Sequence, residues 1–83
     1  MNVTYIVHYL DETSERIEFE KPPGALQNSV LAAAEALLIA TKRGKIVTKL
    51  GISDKNLTTP MVLVKELRLS VRPIPQKYEG LLC

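Results

Sequence analysis

The chain has 83 residues, of which 46% are hydrophobic, 24% charged and 5% aromatic, and its formal net charge is +2 at pH 7. This length fits one small domain, and the composition is globular rather than disordered or collagen-like. The single cysteine excludes an internal disulfide framework, and the N-terminus lacks the pattern of a signal peptide, so we expect a cytoplasmic protein.

Two strands at the start of the chain are predicted to form a β-hairpin. Residues 3–10 are rich in β-branched and aromatic side chains, which are typical of strands. Residues 16–20 alternate between charged and apolar, so Ile17 and Phe19 are expected to point inward. The polar residues 11–14 between the two segments form the predicted turn.

One long helix is predicted from Ala25 to about Arg43. Most of its residues are alanine or leucine, the strongest helix formers. The two prolines before it end the hairpin, because proline cannot donate a hydrogen bond to a sheet. Gly44 follows the predicted end and can adopt the left-handed conformation that closes a helix.

Two further strands and a flexible tail are predicted in the remainder. Residues 45–50 and 61–71 have apolar residues on one side of each strand, whereas residues 76–83 follow two prolines and form the tail. The resulting ββαββ order predicts one α+β domain over residues 1–75. It would have a four-stranded, mostly antiparallel sheet with the helix on one face, in a β-grasp-like arrangement.

The chain offers few residues for catalysis or metal binding. His8 is its one histidine, and no nucleotide-binding glycine motif is present, so we expect a non-catalytic protein without a cofactor. Asp11, Glu12 and Glu15 crowd the hairpin turn and form a weak candidate for a calcium contact. They lack the spacing of a calcium-binding loop, and solvated turn carboxylates are the simpler interpretation.

Charge is distributed unevenly along the chain. Residues 1–40 contain two basic and six acidic side chains, whereas residues 41–83 contain nine basic and three acidic ones. Four cations fall on one side of the two later strands and would form a basic sheet face if those strands were neighbours. Such a face could bind nucleic-acid phosphates, although the small net charge favours a merely solvated surface. The four candidates are Lys45, Lys49, Arg68 and Arg72.

The predicted helix has two apolar faces. At 100° per residue its bulky side chains form one face, which we expect to pack on the sheet. The other face carries small residues and almost no charge, and one sheet cannot cover both. We therefore expect the small face to point outward and to bind a second copy or another protein, unless its alanines are simply helix formers at exposed sites. The predicted interface residues are Ala25, Ser29, Ala32, Ala33, Ala36 and Ala40.

These patterns together predict a small non-catalytic binding module. Self-association as a dimer or binding of another protein is the favoured function, and nucleic-acid binding is the alternative. No membrane segment is expected, because the longest apolar stretch falls well short of the about 20 residues that a spanning helix needs.

Overall fold

A computed structural model describes residues 2–22 and 29–82 of the chain. They form β1 (Asn2–Tyr9), β2 (Ser14–Glu20), α1 (Val30–Thr41), β3 (Val47–Gly51), β4 (Leu57–Thr58), α2 (Pro60–Ser70) and a 3-10 helix (Gln76–Leu82). The strands make one antiparallel sheet in the order β2-β1-β3-β4. The predicted α+β class and four-stranded antiparallel sheet are therefore confirmed. Within the described segments, no helix combines the length and hydrophobicity needed to cross a bilayer.

The hairpin of β1 and β2 forms where the sequence predicted it. The pairing runs from Asn2 opposite Glu20 to His8 opposite Ser14. In the turn, Glu12 adopts a positive φ of 70°, and the Asp11 carboxylate accepts a hydrogen bond from the Thr13 N–H at 3.0 Å. A short polar side chain of this kind often closes such a turn.

The two faces of the sheet differ in their surroundings. Alternation along β1 and β2 places their large apolar side chains on one face, which we call the inner face. There they are buried together with residues of α1. The opposite, outer face carries side chains such as His8 and Lys49, which are half-buried and exposed respectively. The inner-face residues of the hairpin are Val3, Tyr5, Val7, Tyr9, Ile17 and Phe19.

Helix α1 is shorter in the described residues than the sequence predicts. Ser29 caps its start, where the Ser29 hydroxyl accepts a hydrogen bond from the Ala32 N–H at 3.2 Å. The helix ends at Thr41, two residues before the predicted end at Arg43. Gly44 follows with a φ of 77°, as expected for a glycine that terminates a helix. The predicted start at Ala25 lies outside the described residues.

The prediction of a strand over residues 61–71 is wrong, because most of this segment forms helix α2. The Thr59 hydroxyl accepts a hydrogen bond from the Val62 N–H at 3.3 Å, and Pro60 occupies the first turn, where its missing N–H has no cost. Leu63 and Leu67 are four residues apart and are buried on one side of the helix. The fourth strand of the sheet is instead the two-residue β4. The described chain therefore contains three helical segments rather than one long helix.

The segment predicted to be a flexible tail is packed against the helices. Tyr78 is 1% exposed and lies in a cluster with Ala34 of α1 and Leu67 of α2. Its hydroxyl donates a hydrogen bond to Glu35 Oε1 at 2.8 Å, and Lys77 Nζ lies 2.6 Å from the same oxygen. Burial raises the pKa of Glu35, but these hydrogen bonds outweigh burial and leave the pKa below its ordinary value. Residue 83 lies outside the described chain.

Candidate functional site

The small-residue face of α1 is buried by the protein's own sheet, so its predicted outward orientation is wrong. Ala32, Ala36 and Ala40 have no exposed surface, and Ala33 is 9% exposed. They lie in one cluster with the inner-face residues of the sheet, including the ring of Tyr5. Small side chains on the helix leave room for large ones on the sheet, so the two surfaces pack closely. These four alanines are not available to a partner.

The bulky face of α1 meets a second layer that the sequence did not predict. Leu37 joins the sheet cluster, whereas Leu31 and Leu38 pack with Leu67 and Tyr78 of the later helices. Both faces of α1 are therefore covered within one chain. Of the remaining predicted interface residues, Ser29 is the N-cap of α1 and Ala25 lies outside the described chain.

The four cations proposed for nucleic-acid binding do not share a sheet face. Lys49 is exposed on the outer face of β3, and Lys45 precedes that strand, with its ammonium 5.0 Å from the centre of the Tyr9 ring. Arg68 lies on α2 and donates a hydrogen bond to a carbonyl of the C-terminal segment, and Arg72 follows α2. The predicted basic face required residues 61–71 to be a strand, and that requirement is not met.

Two carboxylates at the hairpin turn, those of Asp11 and Glu15, contact neighbouring side chains. Asp11 Oδ2 lies 3.4 Å from Lys45 Nζ, and hydrogen bonds from Thr13 hold the pKa of Asp11 below its ordinary value. Glu15 accepts hydrogen bonds from the Tyr9 hydroxyl and from Arg43 Nε, the latter at 3.1 Å. Among residues 2–22 and 29–82, no cluster of three or more His, Cys, Asp or Glu side chains could hold a metal ion. Asp11 and Glu15 therefore link the hairpin to Lys45 and Arg43.

A groove on the outer face of the sheet contains His8. Ser14, Glu15 and Asp54 line the same groove, and His8 Nε2 lies 3.8 Å from Asp54 Oδ1. Within the described residues, Nε2 is buried without a hydrogen-bond partner, and no hydrogen bond joins Ser14 to His8. Nucleophilic catalysis requires the nucleophile and its base to be hydrogen-bonded, and Glu15 is already engaged elsewhere.

A cavity of about 260 Å³ lies between α1, α2 and the segment from β3 to β4. Tyr5 lines the cavity, and burial raises the pKa of Tyr5 to about 12, so this phenol is neutral at ordinary pH. Leu50 and Leu63 provide apolar walls, and Glu66 provides a carboxylate. The cavity is smaller than the about 300–1,000 Å³ of typical small-molecule sites.

The outward side of α2 exposes several large apolar side chains. Met61 is 81% exposed, Leu69 67% and Val62 45%, although solvent-facing positions of a helix are usually polar. Met61, Lys65 and Leu69 are spaced four residues apart and therefore form one stripe along the helix, with Val62 beside it. We call these four residues the outer face of α2.

The charge within the apolar stripe is positive, and the exposed carboxylate of Glu66 flanks the face beside Val62. Lys65 lies in the middle of the apolar stripe, is exposed and forms no salt bridge within the described parts of the chain. Arg68, one residue before Leu69, adds a second cation next to the stripe. Contiguous exposed apolar residues with charged neighbours are characteristic of protein-binding surfaces.

Sequence reasoning missed the outer face of α2 because it assigned the segment to a strand. In a strand, Met61 and Leu69 share a face with Leu63 and Leu67, so all four are expected in the core. The signal that could have revealed the helix is the pair Thr59-Pro60, a favourable N-cap followed by proline. Comparisons of the chain with protein-family models, curated proteins and solved structures found no match.

Proposed function

We propose that the chain is a small non-catalytic module that binds another protein through the outer face of α2. The observation that supports this proposal is the exposure of Met61, Val62 and Leu69 on one side of a short helix. Removing apolar surface from water is the main driving force of most protein–protein association. Helix α2 is itself fixed by Leu63 and Leu67, so the face is presented by a rigid element.

The partner that fits this face is an amphipathic helix with an acidic residue between two apolar ones. The apolar residues would cover Met61 and Leu69, and the carboxylate would pair with Lys65. A second copy of the same face fits poorly. An antiparallel pair of α2 helices centred on the stripe would place Lys65 against Lys65, which is repulsive. Charge complementarity therefore favours a different, acidic helix.

Selection from a displayed peptide library on the folded chain tests this proposal. We expect enriched peptides to carry apolar, acidic and apolar residues at four-residue spacing. Binding of a synthetic enriched peptide, measured by fluorescence anisotropy, should weaken at least about tenfold in Leu69→Ser, because a buried apolar anchor contributes more than about 1.4 kcal/mol. The substitution lies at an exposed site and should change stability by no more than about 0.5 kcal/mol.

Leu10 and Ile46 provide a matched control. They are 63% and 66% exposed but line a separate groove next to Gly44. Leu10→Ser and Ile46→Ser should therefore bind the enriched peptide as tightly as the wild type. Peptides without the acidic residue, or equal affinity for the wild type and Leu69→Ser, would show that the outer face of α2 is not the binding surface.

A further inference from the structure

Strand β2 forms one edge of the sheet. It lies at the end of the strand order, and its seven residues are Ser14–Glu20. Edge strands present unpaired backbone groups that can pair with another strand, and charged side chains usually discourage such pairing. In β2 the charges are of both signs, since Arg16 and Glu18 are two residues apart and share the outer face.

The hairpin shows which backbone groups of β2 face outward. The Tyr9 N–H donates to the Thr13 carbonyl at 2.9 Å, so these two residues form a hydrogen-bonded pair next to the turn. Hydrogen-bonded and non-hydrogen-bonded pairs alternate along an antiparallel ladder. Every second residue of β2, beginning with Ser14, therefore directs its N–H and C=O away from β1. These residues are Ser14, Arg16, Glu18 and Glu20.

The charge pattern makes this edge complementary to itself. When two copies of β2 lie antiparallel about a two-fold axis through Ile17, all seven residues overlap. Arg16 of each copy then lies opposite Glu18 of the other, and both residues use their outward backbone groups. Shifting the axis to Arg16 or Glu18 would instead place identical charges opposite each other. Within the described parts of the chain, neither residue has a salt-bridge partner, and both are exposed.

We propose that the chain forms a homodimer through antiparallel pairing of two β2 edges, held in register by reciprocal Arg16–Glu18 pairs. The two sheets become one continuous sheet, and both copies of α1 lie on the same side of it. This surface is separate from the outer face of α2. The contact between two seven-residue strands is small beside the about 1,600 Å² of a standard interface. The dimer therefore dissociates on dilution.

Two charge reversals give a decisive test of the register. Arg16→Glu leaves only acidic residues at positions 16 and 18, and Glu18→Arg leaves only basic ones there. Two copies of the same variant therefore repel each other. Sedimentation velocity in low salt should show dimer for the wild type at high concentration and a dissociation constant about tenfold to hundredfold higher for each variant alone. An equimolar mixture of the two variants should recover the dimer, because the acidic pair of one variant then faces the basic pair of the other.

Lys55→Glu is the control for a change of net charge, because Lys55 is exposed and belongs to the turn between β3 and β4 rather than to β2. This variant should dimerise like the wild type, and far-UV circular dichroism should show that all variants are folded. A wild type that remains monomeric at millimolar concentration would overturn the proposal. The proposal would also be overturned if both charge-reversal variants dimerised like the wild type, or if their mixture were no more dimeric than either variant alone.

Discussion

Substitution of Ala36 by leucine tests whether the small face of α1 packs on the sheet. Ala36 has no exposed surface and belongs to the cluster formed by α1 and the inner face of the sheet. Leucine adds three carbon atoms for which the packed interface has no room. Overpacking of this kind costs about 1–3 kcal/mol. In a domain of this size each kcal/mol lowers the melting temperature by about 4–8 °C, so we expect a decrease of about 4–24 °C.

Thermal unfolding followed by circular dichroism measures this decrease. The matched control is Thr41→Leu, which places the same side chain at an exposed position of the same helix. The control should change stability by no more than about 0.5 kcal/mol. If Ala36→Leu were as stable as Thr41→Leu and altered only self-association, the small face would be exposed in solution and the burial described above would be wrong.

Three further predictions concern the helices and the β3–β4 segment. The folded-state pKa of Glu35 lies below its ordinary value, so the ionised Glu35 carboxylate stabilises the folded protein. This stabilisation is fully present above the unfolded pKa of about 4.3 and is lost as pH falls through the folded pKa. Urea unfolding should therefore show a weaker acid dependence for Glu35→Gln than for the wild type, and equal dependence would contradict the contact with Lys77 and Tyr78. Leu67 has no exposed surface, so Leu67→Ala should lower the free energy of unfolding by about 2–5 kcal/mol and expose the C-terminal segment to limited proteolysis. A loss below about 1 kcal/mol would count against the cluster of Ala34, Leu67 and Tyr78. Gly51→Ala would place a β-carbon in steric overlap with the Asn56 carbonyl oxygen, so we expect a melting temperature at least about 4 °C below that of Gly80→Ala, whose position has open space.

Local sequence patterns predicted the elements that are stabilised by residues close to one another in the sequence. The hairpin follows from alternation in residues 16–20 and from polar turn residues, and both act over a few positions. The end of α1 follows from Gly44, which has the positive φ expected of a residue that closes a helix. The class of the domain could be inferred from these elements alone.

Residues 61–71 show where a local pattern was ambiguous. Leu67, Leu69 and Val71 alternate as in a strand, whereas Leu63 and Leu67 have the four-residue spacing of a helix. The N-cap Thr59 and the following proline favour the helix. The incorrect strand moved Arg68 and Arg72 onto a sheet and hid the exposure of Met61 and Leu69, so one error of periodicity produced the false basic face and concealed the outer face of α2.

The sequence by itself determined the hairpin, the main helix and its two apolar faces. The tertiary structure decided which partner each face meets, because both faces of α1 are apolar and hydropathy cannot distinguish between them. The choice depends on shape: Ala32, Ala36 and Ala40 pack on the large side chains of the sheet, whereas Leu31 and Leu38 pack beside α2 and Tyr78. Tyr78 lies 43 positions from its hydrogen-bond partner Glu35, and no local pattern encodes a contact at that separation.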